Sequence, residues 1–385
     1  MKRSLAILSF LSVAPLTGAK LPDVVDFNDH IQPIISENCY QCHGPDSSTR
    51  APKKNPLRLD RAEFAFLDRP NGTPSIIKGD AQASEVFQRI ISKDVDEVMP
   101  PPKSHKKPLK PGEIALIKKW IQQGSKYEEH WSFTPLVRPE PPKRDWGQNA
   151  IDKFIVARHQ EHDLDPGPPE EPARLLRRLT FDLTGLPPTP EQVATFREMA
   201  AQDLPAAIEM TAAKLLTTDD YAEHFARHWL DTARYGDTHG IHNDNYRGIW
   251  PYRDWVIEAF LQNMPFDQFT REQIAGDLLP NATLNQKIAT GFNRCIPTTG
   301  EGGAIDQEYQ AIYATDQVST TSAVFLGLST GCAACHDHKF DPISQKDFYS
   351  LTAFFRNSTM KAMDRNAADH APVVFAPRLE DRQRF

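Results

Sequence analysis

The feature that most constrains this chain is a five-residue pattern present twice, Cys39-Tyr40-Gln41-Cys42-His43 near the start and Cys332-Ala333-Ala334-Cys335-His336 near the end. Both read C-x-x-C-H, the spacing with which a chain attaches a c-type haem. Each thiol adds across one haem vinyl group, and the two intervening residues bring the pair to neighbouring vinyls from a single turn. The adjacent histidine then falls beneath the iron as its proximal ligand. A bare C-x-x-C also serves zinc ribbons and thioredoxin-like sites. A structural zinc needs two compact knuckles, whereas these pairs lie hundreds of positions apart, and disulfides would leave His43 and His336 without a reason. The pattern therefore implies two covalently attached haem c groups, held by Cys39, Cys42, Cys332 and Cys335, with His43 and His336 on the irons.

The start of the chain agrees with that chemistry. Lys2 and Arg3, the apolar run Leu5 to Leu16 and Thr17-Gly18-Ala19 read as a secretory signal over residues 1–19. The apolar run is short for a bilayer span, and no cysteine follows it to carry a lipid. No later segment is apolar for long enough to cross a membrane. The mature chain is thus expected to be exported, periplasmic or at the cell surface, where c-type haem is attached. A formal charge of −7 with no lysine or arginine run excludes nucleic acid as the main partner.

From Phe27 the spacing of Phe27, Ile31 and Ile34 or Ile35 predicts a helix running into Cys39. A second helix is predicted after Pro111-Gly112-Glu113, with Ile114, Ile117 and Ile121 on one face and Gly124 at its end. Between them lies Val98-Met99-Pro100-Pro101-Pro102. A helix entering C-x-x-C-H, a Met-Pro loop and a closing helix make the layout of a small class I cytochrome c domain. Met99 is the expected distal ligand, since a thioether opposite histidine raises the potential and the prolines stiffen its loop. His105 is the substitute, and gap filling is the alternative role for Met99.

Phe27-Asn28-Asp29-His30-Ile31, then Cys39 to Asp46 and Met99-Pro100-Pro101, resemble the planctomycete-type cytochrome c domain. His130-Trp131-Ser132-Phe133 resembles the linker of that family, and Pro135, Pro139, Pro141 and Pro142 predict a stiff extended segment. Thr180 to Pro187, His228-Trp229-Leu230-Asp231 with Arg234-Tyr235, Gln273 to Leu278, and Cys335-His336-Asp337-His338-Lys339-Phe340-Asp341-Pro342 resemble the second, cysteine-containing domain that accompanies it. The resemblance implies a mainly α protein: a cytochrome c-like domain over 20–126, a Pro-rich linker over 127–146 and a larger helical haem-binding domain over 147–385. Members often carry a further C-terminal domain, so this chain reads as a short member or a fragment.

In the second region Ile151, Phe154 and Ile155 begin one predicted helix, and Arg174 to Leu183 form another that breaks at Gly185. At 100° per residue, Tyr221, Phe225, His228, Thr232 and Tyr235 share an arc that should point inward. His228 is then either a hydrogen-bonded core histidine or the distal ligand of the second haem. His239, His242, Met264, Met360 and Met363 are further distal candidates. Ser344-Gln345-Lys346-Asp347 resembles a capping box opening a helix whose Phe348, Leu351 and Phe355 share a face. His338 and Asp341 either orient His336 or are ordinary turn polarity. Glu301-Gly302-Gly303 lacks the Lys-Ser/Thr of a phosphate loop and reads as a turn, and Cys295, left over, reads as a small buried side chain.

The leading expectation is an exported dihaem cytochrome carrying single electrons to or from a redox partner protein or electron-transport component. The competing one is a haem enzyme, peroxidase-like or another oxidoreductase, with an open distal site at the second haem. A haem-stabilised module that displays binding surfaces, for glycans for example, is the third.

Overall fold

The computed structural model describes residues 21–70, 72–147, 149–378 and 381, so the expected signal at 1–19 lies outside it. The chain is mainly helical, with only isolated bridges and no β-strand among the described residues. It divides into two compact units. Of the described residues, the first comprises those between 21 and 136 and 335–345, and the second those between 137 and 334 and between 346 and 381.

In the first unit the predicted apolar face is realised. Asp26 accepts from the N–H of Asp29 at 2.8 Å, capping a wide first turn over Phe27–Ile31 that continues as the helix Gln32–Asn38. Phe27, Ile31, Ile34 and Ile35 are all buried. The closing helix Pro111–Gln122 starts where the Glu113 carboxylate accepts the Lys110 N–H at 2.7 Å, and it buries Ile117, Trp120 and Ile121 in the same core. Gly124, at φ 99°, lies just beyond that helix.

This packed region continues past residue 126. Tyr127 packs on Phe27 (ring centroids 4.5 Å apart) and edge-on to Trp120 (5.3 Å), and its hydroxyl donates to the Leu59 carbonyl at 3.1 Å. The Trp120 indole N–H donates to the Lys126 carbonyl at 3.0 Å, and Asn28 donates to that of Glu129 at 2.8 Å. The extended, solvent-facing character expected of the linker is present from Pro135 to Pro142, where Leu136 and Val137 are fully or mostly exposed.

The second unit is built from helices including Ala150–Glu161, Pro172–Thr184, Pro190–Gln202, Leu204–Leu215, Asp219–Thr232, Trp250–Leu261, Phe266–Ala275 and Asp306–Thr321. Pro172–Thr184 ends at Gly185, whose φ of 70° suits glycine, as the sequence predicts. Ala150–Glu161 forms, but it buries Val156 and leaves Ile151, Phe154 and Ile155 exposed.

One expectation is overturned on Asp219–Thr232. His228 is exposed, and the helix is buried instead through Ala222 and Ala226, with Trp229 half-buried alongside and Ala233 just beyond. The inward face is thus rotated by about one residue, roughly 100°, from the aromatic arc. Small residues decide it. Alanines let the helix approach Tyr252, Trp255, Val256 and Ala259 of Trp250–Leu261 closely, whereas Tyr221 and Phe225 cover the rim. The Trp229 indole donates to Gln273 Oε1 at 2.9 Å, and the Tyr252 hydroxyl donates to the same oxygen at 2.7 Å, which explains an amide in the core.

Candidate haem-attachment sites

At the first motif the apolar helix delivers Cys39 into a further helical turn, Tyr40–His43. The N–H groups of Cys42 and His43 both donate to the Cys39 carbonyl, at 3.1 and 2.8 Å, so the two cysteines and the histidine come from one turn. The chain then folds back over that turn. Ala51 N–H donates to the Cys42 carbonyl and Leu59 N–H to that of His43, each at 2.8 Å, while Arg50 Nε holds the Gly44 carbonyl at 2.9 Å. Gly44 is required by this fold-back, because a Cβ there would lie 2.3 Å from the Tyr40 carbonyl oxygen. Tyr40 is buried, near Asp60, and Asp60 pairs with Arg58.

Cys39 and Cys42 are free thiols, not a disulfide. Cys39 packs on the core, and burial pushes its thiol up to about 12. His43 is half-buried, and burial lowers its pKa below the ordinary histidine value. The backbone of Ala51 and Leu57 opposes that shift, and the charges of Arg69 and Arg89 add to it. His43 Nδ1 is buried with no hydrogen-bond partner. Leaving a buried ring nitrogen unmatched costs on the order of 1–3 kcal/mol, and a neutral imidazole is the form that ligates a metal. The donor set of this turn therefore fits a covalently held haem.

Met99 is half-buried in the loop after the helix Glu85–Ile91, and its N–H donates to the Arg89 carbonyl at 3.0 Å. Arg89 thus bears on both candidate ligands, through its carbonyl on Met99 and its charge on His43. His105 is exposed, in a left-handed conformation at φ 58°.

The second motif has the same residues in a different setting. Gly331–Ala334 is a tight turn, Ala333 is buried, and Cys332, Cys335 and His336 are exposed. The partner of His336 is neither His338 nor Asp341. Its Nδ1 lies 2.8 Å from the Asp337 carbonyl oxygen. A carbonyl only accepts, so Nδ1 carries the proton and Nε2 is left as the ring atom suited to a metal. This donor set also fits haem. His338 and Asp341 pair instead with each other and with His130: His130 Nε2 lies 3.1 Å from one Asp341 oxygen and His338 Nδ1 3.3 Å from the other.

Among the other distal candidates, His239 has both ring nitrogens occupied, by Thr298 Oγ1 at 2.7 Å and the Ala367 carbonyl at 3.1 Å. Met264 packs against the aromatic core, Met360 and Met363 pack around Ile296 and Tyr313, and His242 is exposed. The helix expected after Ser344 forms as Gln345–Phe355, but it buries Phe348 and Thr352 and leaves Leu351 exposed. Cys295 is buried at 2% exposure, and burial pushes its thiol up to about 12.

Residues 150–360 match the family model PSCyt2, described as a protein of unknown function (DUF1549), and residues 39–103 match PSCyt1, planctomycete cytochrome C. The chain belongs to the PSCyt2 family. It carries a planctomycete cytochrome C domain ahead of the PSCyt2 region, in the order the motifs predict. The PSCyt1 match begins at Cys39 and runs beyond Met99, and the PSCyt2 match includes Cys332 to His336. Membership of a cytochrome c family implies covalently bound haem c, hence iron. No curated protein and no solved structure matches the chain. No helix among the described residues is long and apolar enough to cross a membrane.

Proposed function

We propose that the protein is an exported dihaem c-type cytochrome that passes single electrons between a redox partner and an electron-transport chain. The observation that supports this reading is the state of the two motif histidines. Burial lowers the pKa of His43 below the ordinary histidine value, and its own Nδ1 is buried without a hydrogen-bond partner, while the Asp337 carbonyl holds the proton of His336 on Nδ1.

Haem c, when bound, supplies a one-electron ferric/ferrous couple. The chain's own residues do the rest. Cys39 with Cys42, and Cys332 with Cys335, would hold it by thioether bonds, and His43 and His336 would ligate the irons. Met99 would supply a thioether to the same iron as His43, and would raise its potential relative to a harder ligand. The fold-back over Tyr40–His43 would limit the access of water to the first site. The exposure of Cys332, Cys335 and His336 favours a second reading for that motif alone, an open distal position that admits a small ligand.

The test is the pyridine haemochrome content of the exported protein together with its intact mass. Two covalent haems are expected per chain. One would refute the dihaem reading, and a mass equal to that of the bare polypeptide would refute haem attachment altogether.

A further inference from the structure

The Cys335–Gln345 segment is part of the first unit, far from the rest of that unit in sequence. What holds it there is a polar cluster. Asp341 stands between two buried imidazoles: His130 Nε2 at 3.1 Å from Oδ1 and His338 Nδ1 at 3.3 Å from Oδ2, with side-chain exposures of 8% for each histidine and 20% for the aspartate. The His130 end is oriented by its other ring nitrogen, 2.7 Å from Ser132 Oγ. Since a carboxylate only accepts, Nε2–H of His130 points at Asp341, and Nδ1 takes the Ser132 hydroxyl proton. At the other end the Asp341 N–H donates to His338 Nδ1 at 3.0 Å, so that nitrogen carries no proton for the carboxylate and the tie at this end runs through the Asp341 backbone; the His338 N–H donates to the Ile343 carbonyl at 2.8 Å, closing the segment on itself. Burying such a cluster is costly unless its members satisfy one another, so it fixes one position for the segment.

That position puts Tyr40 of the first motif and Asp337, the residue next to the second, on one cavity. A cavity of about 720 Å³ is lined by Tyr40, inside the first motif, and Pro45, two residues beyond it. Asp337, the residue after His336, lines the same cavity, as do His130, His338 and Asp341.

We propose that the two motifs work as a coupled pair. The His130–Asp341–His338 clamp sets His336 beside the turn that carries His43, so that an electron accepted from the redox partner at one motif passes within the chain to the other before leaving. One centre is oxidised as the other is reduced, and no further reactant is needed. Asp341 is a positioning residue in this scheme, not a catalytic one. The proposal rests on the dihaem reading above.

The test is electron paramagnetic resonance of the fully oxidised, full-length protein, with haem content measured on the same sample. In the unaltered protein the two ferric signals should be broadened by mutual interaction. In Asp341→Ala, with both haems still attached, the broadening should be lost and two independent ferric signals should appear. His130→Gln, which removes only one arm of the clamp, should show the same loss if Asp341→Ala fails to fold. Two haems without broadening in the unaltered protein would overturn the coupled pair and leave the dihaem reading standing. A single haem would refute that reading and the pair with it. Broadening that survives both variants would overturn the role of the clamp.

Discussion

The two C-x-x-C-H motifs are alike in chemistry and unlike in setting. Cys39 to His43 is wound into a helical turn at the end of an apolar helix, packed on a core that includes Ile31, Trp120 and Ile121, and covered by the chain that returns through Ala51 and Leu59. Cys332 to His336 leaves a tight turn and is exposed at both cysteines and at the histidine. The pattern alone specifies which atoms bond. How far water and small ligands reach them is decided by what the flanking sequence can bury, and exposure is one of the levers on a haem potential. Two identical motifs in one chain therefore need not make two equivalent centres.

The largest contrast is in thiol count. In the protein with both motifs loaded, four cysteines are in thioether bonds and Cys295 is the fifth, buried and with its thiol pushed up to about 12. A disulfide reagent at pH 8 should find no rapidly reacting thiol in the native protein and one per chain after denaturation, because the thiolate is the reactive form. Two rapid thiols in the native state would show that the exposed Cys332 and Cys335 carry no haem, and would break the symmetry of chemistry between the motifs.

The next contrast is in dependence on the core. Ile121 is fully buried beneath the first motif's unit, and Ile121→Ala should cost that unit roughly 2–5 kcal/mol. In denaturant titration followed by haem absorbance, the transition of the first centre should move to lower concentration. A shift equivalent to less than about 1 kcal/mol, well under the usual range for such a truncation, would mean that the motif is held by something other than this core.

Much of this arrangement was legible in the sequence, and the failures have a common cause. The helix into Cys39, the closing helix with Ile117 and Ile121, and the break at Gly185 are local: periodicity and capping residues carry them. His228 was misplaced because the size of aromatic side chains was read as burial, when the approach of the neighbouring helix at Ala226 and Ala233 sets the inward face. Tyr127, placed in a linker, joins the core through rings that precede it by up to a hundred residues. The meeting of His130 with Asp341 is equally non-local, and its only local trace was that each belongs to a stretch resembling the family. The partner of His336, a neighbouring backbone carbonyl, leaves no residue-type signal at all.

The smallest expected effect separates the units by acid sensitivity. His370, in the second unit, is buried and donates from Nε2 to the Lys361 carbonyl at 2.8 Å. Burial lowers its pKa below the ordinary value of 6.5 despite that bond. The unfolded chain therefore takes up a proton at a higher pH than the folded one. Its contribution to stability is complete above about pH 6.5 and is lost as the pH falls below it. The melting temperature of the second unit should decline on going from pH 7.5 to pH 5.5, and less so in His370→Gln. An equal decline in both proteins would assign the acid sensitivity to another group.

A chain whose first unit includes residues 335–345 cannot finish that unit early in its own synthesis. Gln32 and Phe340, which meet at 3.5 Å between side-chain amide and carbonyl, are separated by 308 positions. During synthesis, the stretch from Pro22 to Leu136 emerges long before its last strip of polypeptide exists. Until that strip arrives, the surface it will occupy stays uncovered. Domains emerging from the N-terminus usually fold as they appear. Here the order of delivery holds one face of the first unit open until the second motif has been delivered, giving the cell an interval in which the unfinished unit is a distinct species for assembly factors to recognise.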